Sequence, residues 1–258
     1  MIRYHGGIHS AANDLFQVNT EEVEDIWRLV AAMKKEDILG FAWHCFSPVH
    51  IEHPEWRLGE ISDWNGKALN WAIPEVVEHK FAFIEEIIQG YDIDGFELDF
   101  MRHCNFFKQE ETTRDERRSI MNGFVGRVRK ALDEKGGRHR WLCVRIPVKT
   151  ALYDSLGIDL QDFRKAGADM FNLSNYYYAD MNGDFAEIRE TCGDEAALYF
   201  ELCHTVQQRR LKTKFQYDNT LQRRTTPRQY WTAAHLALSR GCDGISTFNF
   251  VYYREHGI

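Results

Sequence analysis

Hydrophobic positions along this chain switch repeatedly between a helical period and short unbroken apolar runs. Val23, Ile26, Trp27 and Val30 recur at helical spacing behind Asn19 and Glu22, a capping-box pair, and predict a first helix. Pro74 opens a second helix with the stripe Val77, Phe81, Ile84 and Ile88, and Gly90 closes it. Thr113 with Glu116 caps a third, which carries Ile120, Phe124, Val128 and Leu132 and ends at Gly136-Gly137. Weaker helices are expected over 159–166 and 183–191, and Thr226-Pro227 opens a last one that stops at Gly241. Between them lie short apolar runs that read as strands: Ile38–His44, Gly95–Met101, Trp141–Ile146, Met170–Asn175, Ala197–Leu202 and Ile245–Phe250.

Strand and helix alternate throughout, the pattern of a parallel sheet wrapped by helices. An internal echo supports this order. Gly90-Tyr-Asp-Ile-Asp-Gly, Gly167-Ala-Asp and Gly241-Cys-Asp-Gly each close a helix and feed a strand, roughly 75 residues apart. Polar residues gather at the C-terminal ends of the strands, where (β/α)₈ barrels carry their catalytic groups. A doubly wound sheet would usually add a Gly-rich phosphate loop, and the sequence has none. The expected fold is therefore a (β/α)₈ TIM barrel, with residues 1–258 as a single barrel domain. Six strands are found where a barrel needs eight. Either the chain lacks its first βα unit and second strand, or a short strand is hidden around Met1–His5.

One strand carries the chemistry. In Asp94-Gly-Phe-Glu-Leu-Asp-Phe-Met-Arg-His103, Glu97 and Asp99 stand two residues apart and must share a face. Two acids on one face of a core strand repel each other and resist burial, so a site that uses carboxylates is the economical explanation. The competing reading is a buried acid satisfied by a neighbouring Arg or by backbone donors. Glu201, at the end of another apolar strand, faces them across the expected barrel mouth; its competing reading is a salt bridge to Arg102 or Arg145. Two carboxylates across a cleft are the minimum for glycoside hydrolysis, with a separation of about 5–5.5 Å implying retention and about 6.5–9.5 Å inversion. Asp99, Glu201 and Glu97 are thus the candidate catalytic residues. Arg102, His103, His44, Arg145, Asn175, Tyr176, His204 and Asn249 are candidates for holding a substrate, through charge, hydroxyl recognition or ring stacking.

Composition narrows the partners. The 258 residues are 44% apolar and 14% aromatic, and the net charge is −7 with no long basic run, so a nucleic-acid role has little support. The Arg209-Arg210 and Arg223-Arg224 pairs read as solvated surface. No apolar run is long enough to cross a membrane, and Met1 begins no signal peptide. The six cysteines form no Cys-x-x-Cys pair and read as reduced thiols, which suggests a cytoplasmic setting. His44, His103 and His204 all lie near strand ends, yet no His-x-His or His-Glu-x-x-His spacing accompanies them, so neither metal nor cofactor is expected.

The run Trp71 to Val76, with its Pro74-Glu75-Val76 helix start, and Tyr91-Asp-Ile-Asp-Gly-Phe-Glu-Leu-Asp-Phe-Met-Arg102 resemble the family-10-like glycoside hydrolase barrels of the transglycosidase superfamily. Leu142-Cys-Val-Arg-Ile-Pro147, Asn172-Leu-Ser-Asn-Tyr-Tyr177 and Phe248-Asn-Phe-Val-Tyr-Tyr-Arg-Glu255 look like later strands of the same barrel, so the resemblance covers most of 38–254. It implies a (β/α)₈ fold and action on polysaccharide. Better-known relatives fit in part. The family 18 chitinases would have their acid Glu where Met101 stands. The α-amylases resemble Gly95-Phe-Glu-Leu-Asp99 with the following Arg102-His103, which would make Asp99 the nucleophile, but their strand-5 acid is missing. In the clan A glycosidases Glu201 suits the strand-7 nucleophile, while their Asn-Glu pair on strand 4 is absent. The leading expectation is a glycoside hydrolase acting on a carbohydrate substrate. The alternatives are a non-catalytic glycan-binding barrel and a metal-dependent hydrolase.

Overall fold

A computed structural model of the chain describes residues 20–46, 53–59, 68–101, 104–175, 181–207 and 222–248. Six parallel strands run side by side in one sheet: β1 (Phe41–Cys45), β2 (Gly95–Asp99), β3 (Trp141–Pro147), β4 (Met170–Ser174), β5 (Ala197–Cys203) and β8 (Gly244–Phe248). Between the last two, β6 (Thr205–Gln207) and β7 (Gln222–Arg224) form a separate antiparallel pair that the hydrophobic pattern does not predict. The helices are α1 (Thr20–Lys35), α2 (Pro74–Gly90), α3 (Arg114–Glu134), α4 (Tyr153–Leu156), α5 (Leu160–Lys165), α6 (Phe185–Cys192) and α7 (Pro227–Ser239). Neighbouring parallel strands joined through helices curl the sheet into a half-barrel of TIM type, as the alternating pattern predicts.

The helix starts follow their caps. Thr113 accepts from the Glu116 N–H, and the Glu116 carboxylate accepts from the Thr113 N–H at 2.7 Å. Thr226 and Gln229 repeat the arrangement at α7, with Pro227 in the first turn. The expected Asn19–Glu22 box lies outside the described side chains.

The core lies between helices and sheet. Phe96, Leu98, Leu142, Val144, Ile146, Phe171, Leu173, Leu198 and Phe200 alternate along the strands and pack with Ile84, Val125, Val128, Phe163 and Ile188 of the helices. By the two-residue period, the residues between them must face the barrel interior.

Three aspartates explain the internal echo. Asp94, Asp169 and Asp243 each precede a strand, and each grips one residue of the neighbouring strand or its approach with both backbone and side chain. Their N–H groups donate to the carbonyls of Gly40, Leu142 and Leu198 at 2.7, 2.9 and 2.7 Å. Their carboxylates accept from the N–H groups of those same three residues, each at 2.7 Å. An arginine completes each set: Arg138 on Asp94, Arg129 on Asp169 and Arg189 on Asp243. The glycine after two of these aspartates has its own cause. A Cβ on Gly95 would stand 2.3 Å from the Phe41 ring, and one on Gly244 would stand 2.6 Å from the Tyr199 ring.

The buried face of α2 differs from the expected stripe. It runs Val76, Lys80, Ile84, Ile87 and Ile88, while Phe81 turns towards α3, where Arg127 sits 4.0 Å above its ring. Lys80 is therefore a core residue, 1% exposed. Burial pushes its pKa down to about 7, with Cys45 acting weakly in the other direction.

Two outcomes are expected. Asp169→Ala leaves the Leu142 N–H without its charged acceptor and should cost about 2 kcal/mol, read as a fall of roughly 4–8 °C in melting temperature. Between pH 7 and about 10 the unfolded chain keeps a proton on Lys80 that the folded chain has released, so this group makes stability rise with pH across that window. Lys80→Met should raise stability at pH 7 by roughly 2–4 kcal/mol and flatten that rise, measured by urea unfolding at several pH values.

Candidate active site

The strand period places Glu97 and Asp99 on the interior face, and register does the same for their neighbours. Glu97 lies beside Cys143 and Asp99 beside Arg145; Arg145 in turn lies beside Asn172, and Glu201 beside Ser246. Asp99 and Ser174 are the last residues of β2 and β4, and Arg145 and Glu201 stand two residues before the ends of β3 and β5. The cluster thus sits at the C-terminal end of the sheet.

One guanidinium joins the acids. Arg145 donates through Nη1 to Asp99 Oδ1 at 2.7 Å. Through Nε and Nη2 it donates to Glu201 Oε2 at 2.8 Å and Oε1 at 2.6 Å, a bidentate pair. Ser174 Oγ donates to Glu201 Oε1 at 2.7 Å and accepts from Arg145 Nη2 at 3.0 Å. Asp99 Oδ1 also accepts from the Met101 N–H at 2.8 Å. The Phe248 ring of β8 lies 4.9 Å from the guanidinium carbon. Deeper in the barrel, Glu97 Oε2 accepts from Asn172 Nδ2 at 3.1 Å and lies 3.5 Å from the Cys143 thiol. Asn172 Oδ1 accepts in turn from the Ser246 hydroxyl at 2.8 Å.

These polar groups are dry: Glu97 and Asp99 are 0% exposed, Glu201 1% and Arg145 2%. Burial by itself favours a neutral Arg145, but the charges of Asp99 and Glu201 outweigh it and hold the guanidinium well above its ordinary pKa. Arg145 therefore stays a cation. Cys104 stays a thiol, since burial, with Asp99 adding, pushes its pKa up to about 12. It is no thiolate nucleophile.

Asp99, Glu201, Glu97 and Arg145 are thus brought together, and Arg145 supplies the salt bridge that the competing reading of Glu201 names. His44 is not part of the cluster. Cys45 pairs with Asp99 in the register, which turns His44 to the helix side of β1, where its ring lies 6.5 Å from Phe83 of α2. His204 is buried just past β5, its ring 6.3 Å from that of Phe248, the ring that also lies beside the Arg145 guanidinium. Asn175 is half-buried immediately after Ser174. Arg102, His103, Tyr176 and Asn249 lie outside the described residues. Sequence reasoning passes over Asn172, Ser174 and Ser246. Asn172 and Ser174 carried a usable signal, two polar residues at period two in an apolar strand, the same signal that exposed Glu97 and Asp99. Among the described residues no group of three His, Cys, Asp or Glu side chains is placed to hold a metal ion, and no helix is long and apolar enough to cross a membrane.

Removing the cation alone should be severe. Arg145→Met takes the shared cation from two buried carboxylates, and a loss of about 3–5 kcal/mol is expected in urea unfolding followed by circular dichroism.

No family model matches the sequence, and no curated protein matches it. Solved structures do match. The PgaB (BpsB) glycoside hydrolase domain of Bordetella bronchiseptica aligns with 87% of this chain and 74% of its own, at TM-score 0.56 and 11% identity. Ega3 of Aspergillus fumigatus, in complex with galactosamine, aligns over 86% and 80%, at TM-score 0.51 and 11% identity. A 2-naphthoyl-CoA reductase aligns over 88% of this chain and 38% of its own, at TM-score 0.51 and 9% identity. At these identities the likeness is one of fold, and it extends to proteins of different activity. The chain has the fold of the barrel glycoside hydrolases.

Proposed function

We propose that this protein is a glycoside hydrolase that cleaves a glycosidic bond in a poly- or oligosaccharide by carboxylate catalysis. The observation that carries the reading is the meeting of Asp99 from β2 and Glu201 from β5 at one guanidinium, at the strand ends where barrel enzymes keep their catalytic groups. Glu201 is the nucleophile or base, and Asp99 or Glu97 the acid. Arg102, His103, Asn175 and Tyr176 orient the sugar. Arg145 binds both Asp99 and Glu201 at rest, so proton donation by Asp99 requires that it leave its arm of the guanidinium as substrate enters. The fold shared with PgaB and Ega3 supports a carbohydrate substrate. The galactosamine bound by Ega3 makes amino sugars the first class to try.

The near-complete burial of Asp99 and Glu201 favours a second reading, a glycan-binding barrel in which the triad is structural. One experiment separates the two. Wild type, Asp99→Asn and Glu201→Gln are assayed on polysaccharides and aryl glycosides, amino sugars included, with folding checked by circular dichroism. The hydrolase reading expects activity in wild type and a fall of roughly 10²-fold or more in kcat for both folded variants. A folded wild type that binds glycans without cleaving any would replace it with the second reading.

A further inference from the structure

We propose that Ser174 is a positioning residue for Glu201, locking the carboxylate and the Arg145 guanidinium into one rigid unit. The inference rests on the reading of Glu201 as nucleophile or base. β4 lies between β3 and β5, so its last residue stands between the two partners. Ser174 Oγ, Glu201 Oε1 and Arg145 Nη2 form a closed triangle with sides of 2.7, 2.6 and 3.0 Å. Each atom is bonded to the other two.

A serine hydroxyl that is 1% exposed is costly unless it is bonded, and this one is bonded to both members of an ion pair. Bidentate contact with Arg145 fixes the plane of the Glu201 carboxylate. The hydroxyl adds a donor to one oxygen only, so the two oxygens become unequal: Oε1 carries two donors, Arg145 and Ser174, and Oε2 takes the Nε arm. Because Arg145 also holds Asp99, the triangle sets the orientation of one acid relative to the other. Among the described residues, the titratable and charged groups of the cluster include Arg145 and Cys143 from β3, Asp99 and Glu97 from β2, Cys45 from β1, Cys104 after β2, and His204 past the end of β5.

The test follows the Glu201 carboxyl carbon by NMR in glutamate-labelled protein, from pH 7 down to acid unfolding, with Glu201→Gln assigning the signal. In Ser174→Ala the ionised carboxylate loses a donor. Protonation of Glu201, or acid unfolding where that comes first, is expected at higher pH than in wild type. Ser174→Thr should restore the wild-type curve. Ser174→Cys, which keeps the volume with a weaker donor, should shift as alanine does and serves if the alanine variant does not fold. On a cleaved substrate, Ser174→Ala should lower kcat about 10-fold with KM within about two-fold, and move the acid limb of the pH profile the same way. Coincident curves for wild type and Ser174→Ala overturn the inference. A shifted curve in a protein that cleaves no glycan keeps the triangle and defeats the hydrolase reading.

Discussion

The barrel interior depends on one buried cation. Glu97, Asp99 and Glu201 share a face from which water is excluded, and carboxylates there would repel one another at low dielectric. Arg145, on the strand next to β2 and two strands from β5, offers three nitrogens in a fixed fork: Nη1 serves Asp99, Nε serves Glu201, and Nη2 serves Glu201 and Ser174. A lysine ammonium is a single point charge and cannot divide itself among partners on β2, β4 and β5 in this way. The fork makes the position of each acid a function of the other.

Acids at the two ends of the sheet do different work. Along the N-terminal end, Asp94, Asp169 and Asp243 accept backbone N–H groups and pair with surface-reaching arginines, an arrangement that ties strand to strand. At the C-terminal end, Asp99 and Glu201 accept from one shared guanidinium, and Glu201 also from the Ser174 hydroxyl. Barrels commonly divide their ends between stability and chemistry; here the acids of the two ends differ in what they accept from.

Much of the fold was legible. The capping pair Thr113–Glu116 and the helix start at Pro74 place α3 and α2 where the pattern predicts, because caps and proline act within a turn and need no tertiary help. The recurring approach of a helix-closing Gly and an Asp just before β2, β4 and β8 was visible as an echo, and the strand-gripping Asp94, Asp169 and Asp243 give it a cause. The stripe of α2 was placed on Val77 and Phe81 instead of Val76 and Lys80, because a long apolar stem lets a lysine occupy a core position that hydrophobicity alone assigns elsewhere. His44 was expected at the mouth. Its side of the strand is set by register with β2, which a single strand does not carry.

By itself, then, the sequence determined the order of strands and helices, the helix caps, and the fact that Glu97 and Asp99 share a face. All of these follow from local geometry and the two-residue period of a strand. Only the tertiary structure decided which partner each acid would have. Arg145 is 46 residues from Asp99 and 56 from Glu201, and Ser174 is 27 from Glu201. Parallel pairing across four strands is what brings them to one point, and no local pattern encodes which side chains the register will set against each other.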